Sequence, residues 1–113
     1  MANVDKIRVT QDYEKLSDEL KEQLKLVYPE GYSQFLIQFM NKEGKKINGL
    51  RFETDDKIYL IRMTVSEAEK IISDDDDFDE SGSLKEEIKD EYEDKYSDLD
   101  YLSDDDDDDD DDL

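Results

Sequence analysis

The chain has 113 residues, 36 Asp/Glu against 15 Lys/Arg, a formal charge of −21, and neither cysteine nor histidine. This composition excludes disulfides, thiol nucleophiles, Cys or His metal centres and Ser-His-Asp catalysis, and it sets the whole chain against nucleic acid and anionic membranes as partners. The charge is unevenly placed: residues 1–73 hold 12 basic against 13 acidic side chains, a net of −1, whereas residues 74–113 hold 3 against 23, a net of −20. Ile, Leu, Val and Phe fall from 21 of the first 73 residues to 6 of the last 40, a fraction below the ~20% at which strongly charged segments stay unfolded. The expected organisation is therefore a folded domain over 1–73 and a disordered polyacidic tail over 74–113.

In chain order, Met1-Ala2-Asn3-Val4-Asp5 lacks the basic and apolar regions of a signal peptide, and no run of ~18 apolar residues follows, so a soluble, cytoplasmic protein is expected. "KIRVTQDY" alternates Ile7, Val9 and Tyr13 with Arg8, Thr10 and Asp12, the period of a strand with one wet face. Ser17 followed by Asp18 and Glu19 reads as a helix cap, with Leu20, Leu24 and Val27 at helical spacing and a stop near Tyr28 before Pro29 and Gly31.

Three further runs read as an antiparallel meander: "SQFLIQFMN", then "INGLRFET", then "KIYLIRMT" after the two-residue turn Asp55-Asp56. Phe35, Ile37 and Phe39 should share one face, as should Leu50 and Phe52. Apolar side chains on both faces of the third run place it inside the sheet. "SEAEKII" then offers Ser66 as the cap of a second helix, with Ala68, Ile71 and Ile72 as its stripe. The order strand, helix, three-stranded meander, short helix predicts an α+β domain with a small antiparallel sheet and helices on one face, its strand order left open.

The acidic half holds the candidate sites. "DFDESGSLKEEI" carries Asp77, Asp79, Ser81 and Ser83 with Gly82 at the spacing of a calcium loop, and Glu87 stands one place before the bidentate position, which Ile88 occupies. Calcium is the one cofactor the sequence suggests, against the plainer reading that Asp-x-Asp arises readily in so acidic a segment. Ser83 and Glu86 have capping-box spacing ahead of a thin apolar stripe, Leu84, Ile88, Tyr92, Tyr96, Leu99 and Leu102. That stripe is expected as a transient helix over 84–102, ordering on a partner groove or on the chain's own sheet, or else as a disordered linker with occasional tyrosines. Ser73, Ser97 and Ser103 precede aspartates and could accept phosphate.

Basic side chains gather on the meander, where Lys42, Lys45, Lys46, Arg51, Lys57 and Arg62 stand against Glu43, Glu53, Asp55 and Asp56, with Lys42, Lys45, Lys46 and Arg51 foremost as a docking face for the tail or for an anionic partner; the plainer reading is edge lysines that discourage strand pairing. The last feature is an unbroken run, Asp104, Asp105, Asp106, Asp107, Asp108, Asp109, Asp110, Asp111 and Asp112. In an extended chain these charges fall ~3.4 Å apart, the spacing of phosphates along one DNA strand. The expectation is a non-enzymatic interaction module, monomeric, its tail engaging a basic protein that could itself bind nucleic acid, or mimicking nucleic acid in such a protein's site. The alternatives are a calcium-binding or ion-buffering protein and a tail that only confers solubility.

"DYEKL", "YPEGY" and "DDKIYLIRM", followed by an acidic end, resemble short acidic-tailed bacterial proteins of unknown function, some of which carry the label "DNA primase". The resemblance covers roughly Tyr13 to Thr64 and implies replication or transcription machinery as the neighbourhood. It does not bring primase activity with it, because that chemistry needs metal-binding acids on a catalytic fold and usually a zinc module.

Overall fold

The computed structural model describes residues 6–102. Strands β1 (Ile7–Asp12), β2 (Ile37–Met40), β3 (Lys46–Glu53) and β4 (Lys57–Arg62) form one sheet in the order β1-β4-β3-β2. Helices α1 (Asp18–Val27), α2 (Val65–Asp74) and α3 (Glu86–Lys95) complete an α+β fold, with 3-10 turns at Tyr13–Lys15, Ser33–Phe35 and Asp100–Leu102. The sheet is mixed rather than antiparallel throughout: β1 runs parallel to β4, with Val9 beside Tyr59 and Gln11 beside Ile61. The long connection through α1 permits this, since a parallel neighbour cannot be reached by a hairpin.

β4, apolar on both faces, lies between β1 and β3 as its composition requires. Leu50 and Phe52 of β3 share a face with Tyr59 and Ile61 of β4, and on them pack Leu16, Leu24, Tyr32 and Ala68 from the helix side. This is the core. Gly49 lies on the other face, and a Cβ there would stand 2.9 Å from the Phe39 ring and 2.6 Å from the Ile61 carbonyl oxygen, so only glycine lets β2 and β3 close up.

Several local expectations shift. Ser33–Phe35 forms a 3-10 turn, so β2 is only four residues long; Ile37 and Phe39 share one face as expected, whereas Phe35 lies outside the strand, and Phe35 and Ile37 are 44% and 42% exposed. Ser17 caps α1 as expected, accepting from the Leu20 N–H. The cap of α2 is Thr64, not Ser66: its hydroxyl accepts from the Glu67 N–H at 3.1 Å while the Glu67 carboxylate accepts from the Thr64 N–H at 2.9 Å. A full capping box outcompetes a lone serine two places later.

The largest correction concerns the boundary at Ser73, which falls inside α2. Residues 75–102, expected in the disordered tail, fold back against α1 and the core. Phe78 and Leu84 form an antiparallel bridge and are both buried, Tyr96 is buried, and Tyr101 and Leu102 pack on the core cluster. The expected Ser83–Glu86 capping box does not form: Ser83 donates to the Glu30 carboxylate at 2.7 Å, and α3 begins after Lys85 with no side-chain cap. Residues 103–113, with the whole aspartate run, lie outside the described residues.

Candidate functional site

Three sets of side chains bear on function: the loop read as a calcium site, the stripe read as a recognition helix, and the charged faces around the root of the aspartate run.

The loop after α2 spends its carboxylates internally. Asp77 Oδ2 accepts from Lys25 Nζ at 2.7 Å and from the Tyr92 hydroxyl at 2.7 Å. Asp79 Oδ1 accepts from the Ser81 N–H, the Ser81 hydroxyl and the Ser83 N–H at 2.7 to 3.0 Å, and Gly82 takes a φ of +88° to close the turn. Asp77, Asp79, Ser81 and Ser83 are therefore a turn and a clasp, and Glu87 is exposed on α3. Among the described residues no group of three acidic side chains converges to hold a metal ion. The Asp-x-Asp-x-Ser-Gly pattern suits either use, because both need a short acceptor that bends the backbone round a glycine.

Lys25 is the centre of the clasp. Its side chain is 10% exposed, bridges Asp75 and Asp77 at 2.7 Å each, and lies 5.9 Å from the Tyr92 ring centre. Burial would lower the Lys25 ammonium, but the two carboxylates outweigh it and hold its pKa above the usual lysine value. Conversely, burial would raise the Asp77 carboxyl, yet the bonds from Lys25 and Tyr92 outweigh it and hold it below the usual range.

The stripe is turned inward. Leu84 and Tyr96 are buried, Ile88, Tyr92, Leu99 and Leu102 are half-buried, and two tyrosine hydroxyls reach α1: Tyr96 donates to Glu22 at 2.6 Å and the neighbouring Tyr101 to Gln23 at 2.8 Å. Lys95 adds an ion pair to Glu22 at 2.8 Å. Burial first, and the bond to Glu22 second, push the Tyr96 phenol up to about 12. Of the two readings of this stripe, docking on the chain's own domain is the one the contacts fit, with α1 rather than the sheet as the main receiver. A cleft of about 430 Å³ remains between α1 and α3, lined by Val27, Pro29, Tyr96 and Leu99.

The basic residues expected on one face divide. Lys46 stands opposite Met40, on the helix side of the sheet with Asn48 and Leu50, whereas Arg51 projects from the other side. Lys42 and Lys45 are exposed in the β2–β3 loop. On the face away from the helices, Arg51 is joined instead by Arg8, opposite Ile58, and by Arg62, opposite Gly49. Arg8, as a partner of Arg51 and Arg62, is missed in the sequence. The alternation of "IRVTQ" puts Arg8 opposite the core, but only the placement of β1 beside β4 brings it to this surface.

The aspartate run leaves from a fixed point. Tyr101 sets its ring edge-on to Phe52 at 6.4 Å and Leu102 packs on the core, so the first of the nine charges comes two residues after an anchored side chain. No helix among the described residues is long and apolar enough to cross a membrane. No protein family, curated protein or solved structure matches the chain.

Proposed function

We propose that this protein is a non-enzymatic binding module whose aspartate run, Asp104–Asp112, engages a basic protein, occupying surface that otherwise takes nucleic-acid phosphates. The observation that carries this reading is the anchoring of Tyr101 and Leu102, which gives nine like charges a fixed origin on a folded body. A tether of that kind presents a line of charge at one place, whereas a solubilising bristle needs no docked root. The charge spacing of ~3.4 Å along an extended chain is what a single nucleic-acid strand offers. Partners in replication or transcription machinery would meet a familiar field.

Support for the absence of catalysis comes from the acids themselves. The perturbed carboxyls among the described residues are all occupied, Asp77 by Lys25 and Tyr92, Glu22 by Lys95 and Tyr96, Glu53 by Lys6 and Arg51, and Asp79 by Ser81 and Ser83, and no histidine or cysteine is present to act with them.

The test is capture from host lysate on immobilised full-length protein, beside a variant with Asp104–Asp112 changed to Asn, each eluted along a salt gradient and with single-stranded DNA. The reading expects basic proteins that elute steeply with salt, are displaced by DNA, and are missing from the Asn variant. An identical captured set from both proteins would move the binding surface to the folded body.

A further inference from the structure

The face of the sheet turned away from the helices carries Ile37, Phe39, Ile47, Ile58 and Leu60, which alternation and register place opposite the core-facing Leu50, Phe52 and Ile61. None of these five belongs to the core cluster or packs on it. Around them stand Lys6, Arg8, Arg51 and Arg62 against only Glu53 and Asp12, a local net of +2 on a chain whose total is −21. Arg51 and Lys6 share Glu53, and Arg62 takes Asp12 at 2.9 Å; Arg8 has no ion-pair partner among the described residues.

Three occupants can be weighed. A small molecule needs a concavity; the α1–α3 cleft lies elsewhere, and the larger one between α1, α2 and the end of β1 meets this face only at its edge, through Asp12 and Arg62. A second copy needs roughly 800 Å² per partner, while four strands ~4.8 Å apart and about six residues long offer roughly half of that, and two such faces would set arginine against arginine. An extended acidic segment fits the width, the flatness and the sign.

We infer that this open face receives the chain's own segment 103–113, in a contact within one molecule that a basic partner displaces. Eleven residues beyond Leu102 reach about 37 Å when extended, and the body measures 38 × 36 × 28 Å, so the segment can round the sheet from its root beside Phe52. Tethering holds it at an effective concentration in the millimolar range, which lets a few partly screened ion pairs suffice. Nine aspartates exceed the cations available, so the contact is incomplete and salt-sensitive, and a strongly basic surface outcompetes it. What does the displacing rests on the proposed arm-binding function; the contact itself does not.

The experiment compares backbone amide spectra of the full chain with those of the full-length Asp104–Asp112→Asn variant. Differences are expected at Thr10, Arg51, Leu60 and Arg62 and not on α2, and they should vanish near about 0.5 M salt, where screening falls to a few ångströms. In parallel, a ten-residue oligolysine is titrated into Arg8→Gln/Arg62→Gln and into Lys15→Gln/Lys70→Gln, which lose equal charge away from the open face. The first should bind oligolysine about threefold tighter than the second, the factor for an arm latched roughly two-thirds of the time. Amide differences confined to the surroundings of Leu102, or equal oligolysine affinity in the two double variants, would overturn the inference. Oligolysine that binds the wild type and the Asn variant alike sinks the arm-binding reading instead, and the amide differences then decide the contact alone.

Discussion

Lys25 Nζ donates to Asp77 Oδ2 at 2.7 Å across 52 positions of sequence, joining α1 to the loop that follows α2. The same nitrogen reaches Asp75, and Tyr92 on α3 donates to the same Asp77 oxygen, so one buried ammonium fixes three segments. Removing one member of a buried pair costs about 3–5 kcal/mol because the other charge is left without compensation. Here the carboxylates keep about a fifth of their surface in water. Lys25→Met, which preserves the apolar stem, should therefore cost about 3 kcal/mol, the low end. Lys70→Met, whose partner Asp74 is largely exposed, should cost under about 0.5 kcal/mol. Urea unfolding of both variants checks the contrast, and equal midpoints would mean the clasp contributes nothing.

Acid should loosen the segment after α2 before it unfolds the sheet. Burial would raise Glu22, but the bonds from Lys95 and Tyr96 outweigh it; the Asp77 carboxyl is likewise held down, so both titrate below their usual values of 4.5 and 3.8. A depressed carboxyl contributes stability that is complete above its unfolded value and is lost as pH falls through the folded one. The loss thus begins below about pH 4.5 and deepens beneath the ordinary carboxylate range. Hydrogen-exchange protection at Tyr92 and Tyr96, measured against the intrinsic rate at each pH, should fall at higher pH than protection at Leu50 and Ile61. Glu22→Gln should be less stable near neutrality and show a shallower acid dependence.

The capping of α2 separates a reading by type from a reading by geometry. Ser66 looked like the cap because serine precedes the apolar stripe, yet Thr64 holds the Glu67 N–H and Glu67 holds Thr64 in return. Thr64→Ala should cost about 1 kcal/mol, the usual loss on removing a hydroxyl cap, whereas Ser66→Ala inside the first turn should change little or stabilise slightly. Thermal unfolding of the two single variants distinguishes them, and a larger loss from Ser66→Ala would contradict the box.

What could be read in the sequence was local and periodic. Ser17 with two acids, Pro29 after Tyr28, and the two-sided apolar run of β4 each state their role within a few residues, and the structure agrees with all three. The shared face of Leu50 and Phe52 in β3 followed from alternation for the same reason. The signals that failed were those decided by distant partners. Nothing near Tyr96 or Tyr101 announces Glu22 and Gln23, 74 and 78 positions away, and the local charge of residues 74–102 argues for disorder until those bonds are counted. The available clue was the recurrence of Leu84, Ile88, Tyr92, Tyr96, Leu99 and Leu102, a stripe whose tyrosines combine apolar area with a hydroxyl that can reach a charged helix. Likewise Arg8 joins Arg51 and Arg62, which already share a face of β3 and β4, only because β1 pairs with β4.

Truncation locates the true end of the folded body. Stopping after Leu102 keeps every described contact, so in about 0.5 M salt, where any contact of the aspartate run with the body is screened out, the unfolding midpoint should match that of the full chain. Stopping after Ser73 cuts the last residue from α2 and strips away Phe78, Leu84 and Tyr96, three buried side chains, together with Tyr101, which packs on Phe52, and Leu102, which packs on the core cluster. At about 1.5–3 kcal/mol for each fully buried apolar side chain, the loss is comparable to the whole stability of a small domain, roughly 5 kcal/mol. It also leaves Lys25 buried on one side with neither Asp75 nor Asp77 to neutralise it. The shorter fragment should therefore lose cooperative unfolding by circular dichroism and bind a hydrophobic dye, while the longer one behaves as the full chain. A cooperative 1–73 fragment would return the boundary to where the change in composition puts it, and would reduce α3 and the clasp to a coat on an already complete domain.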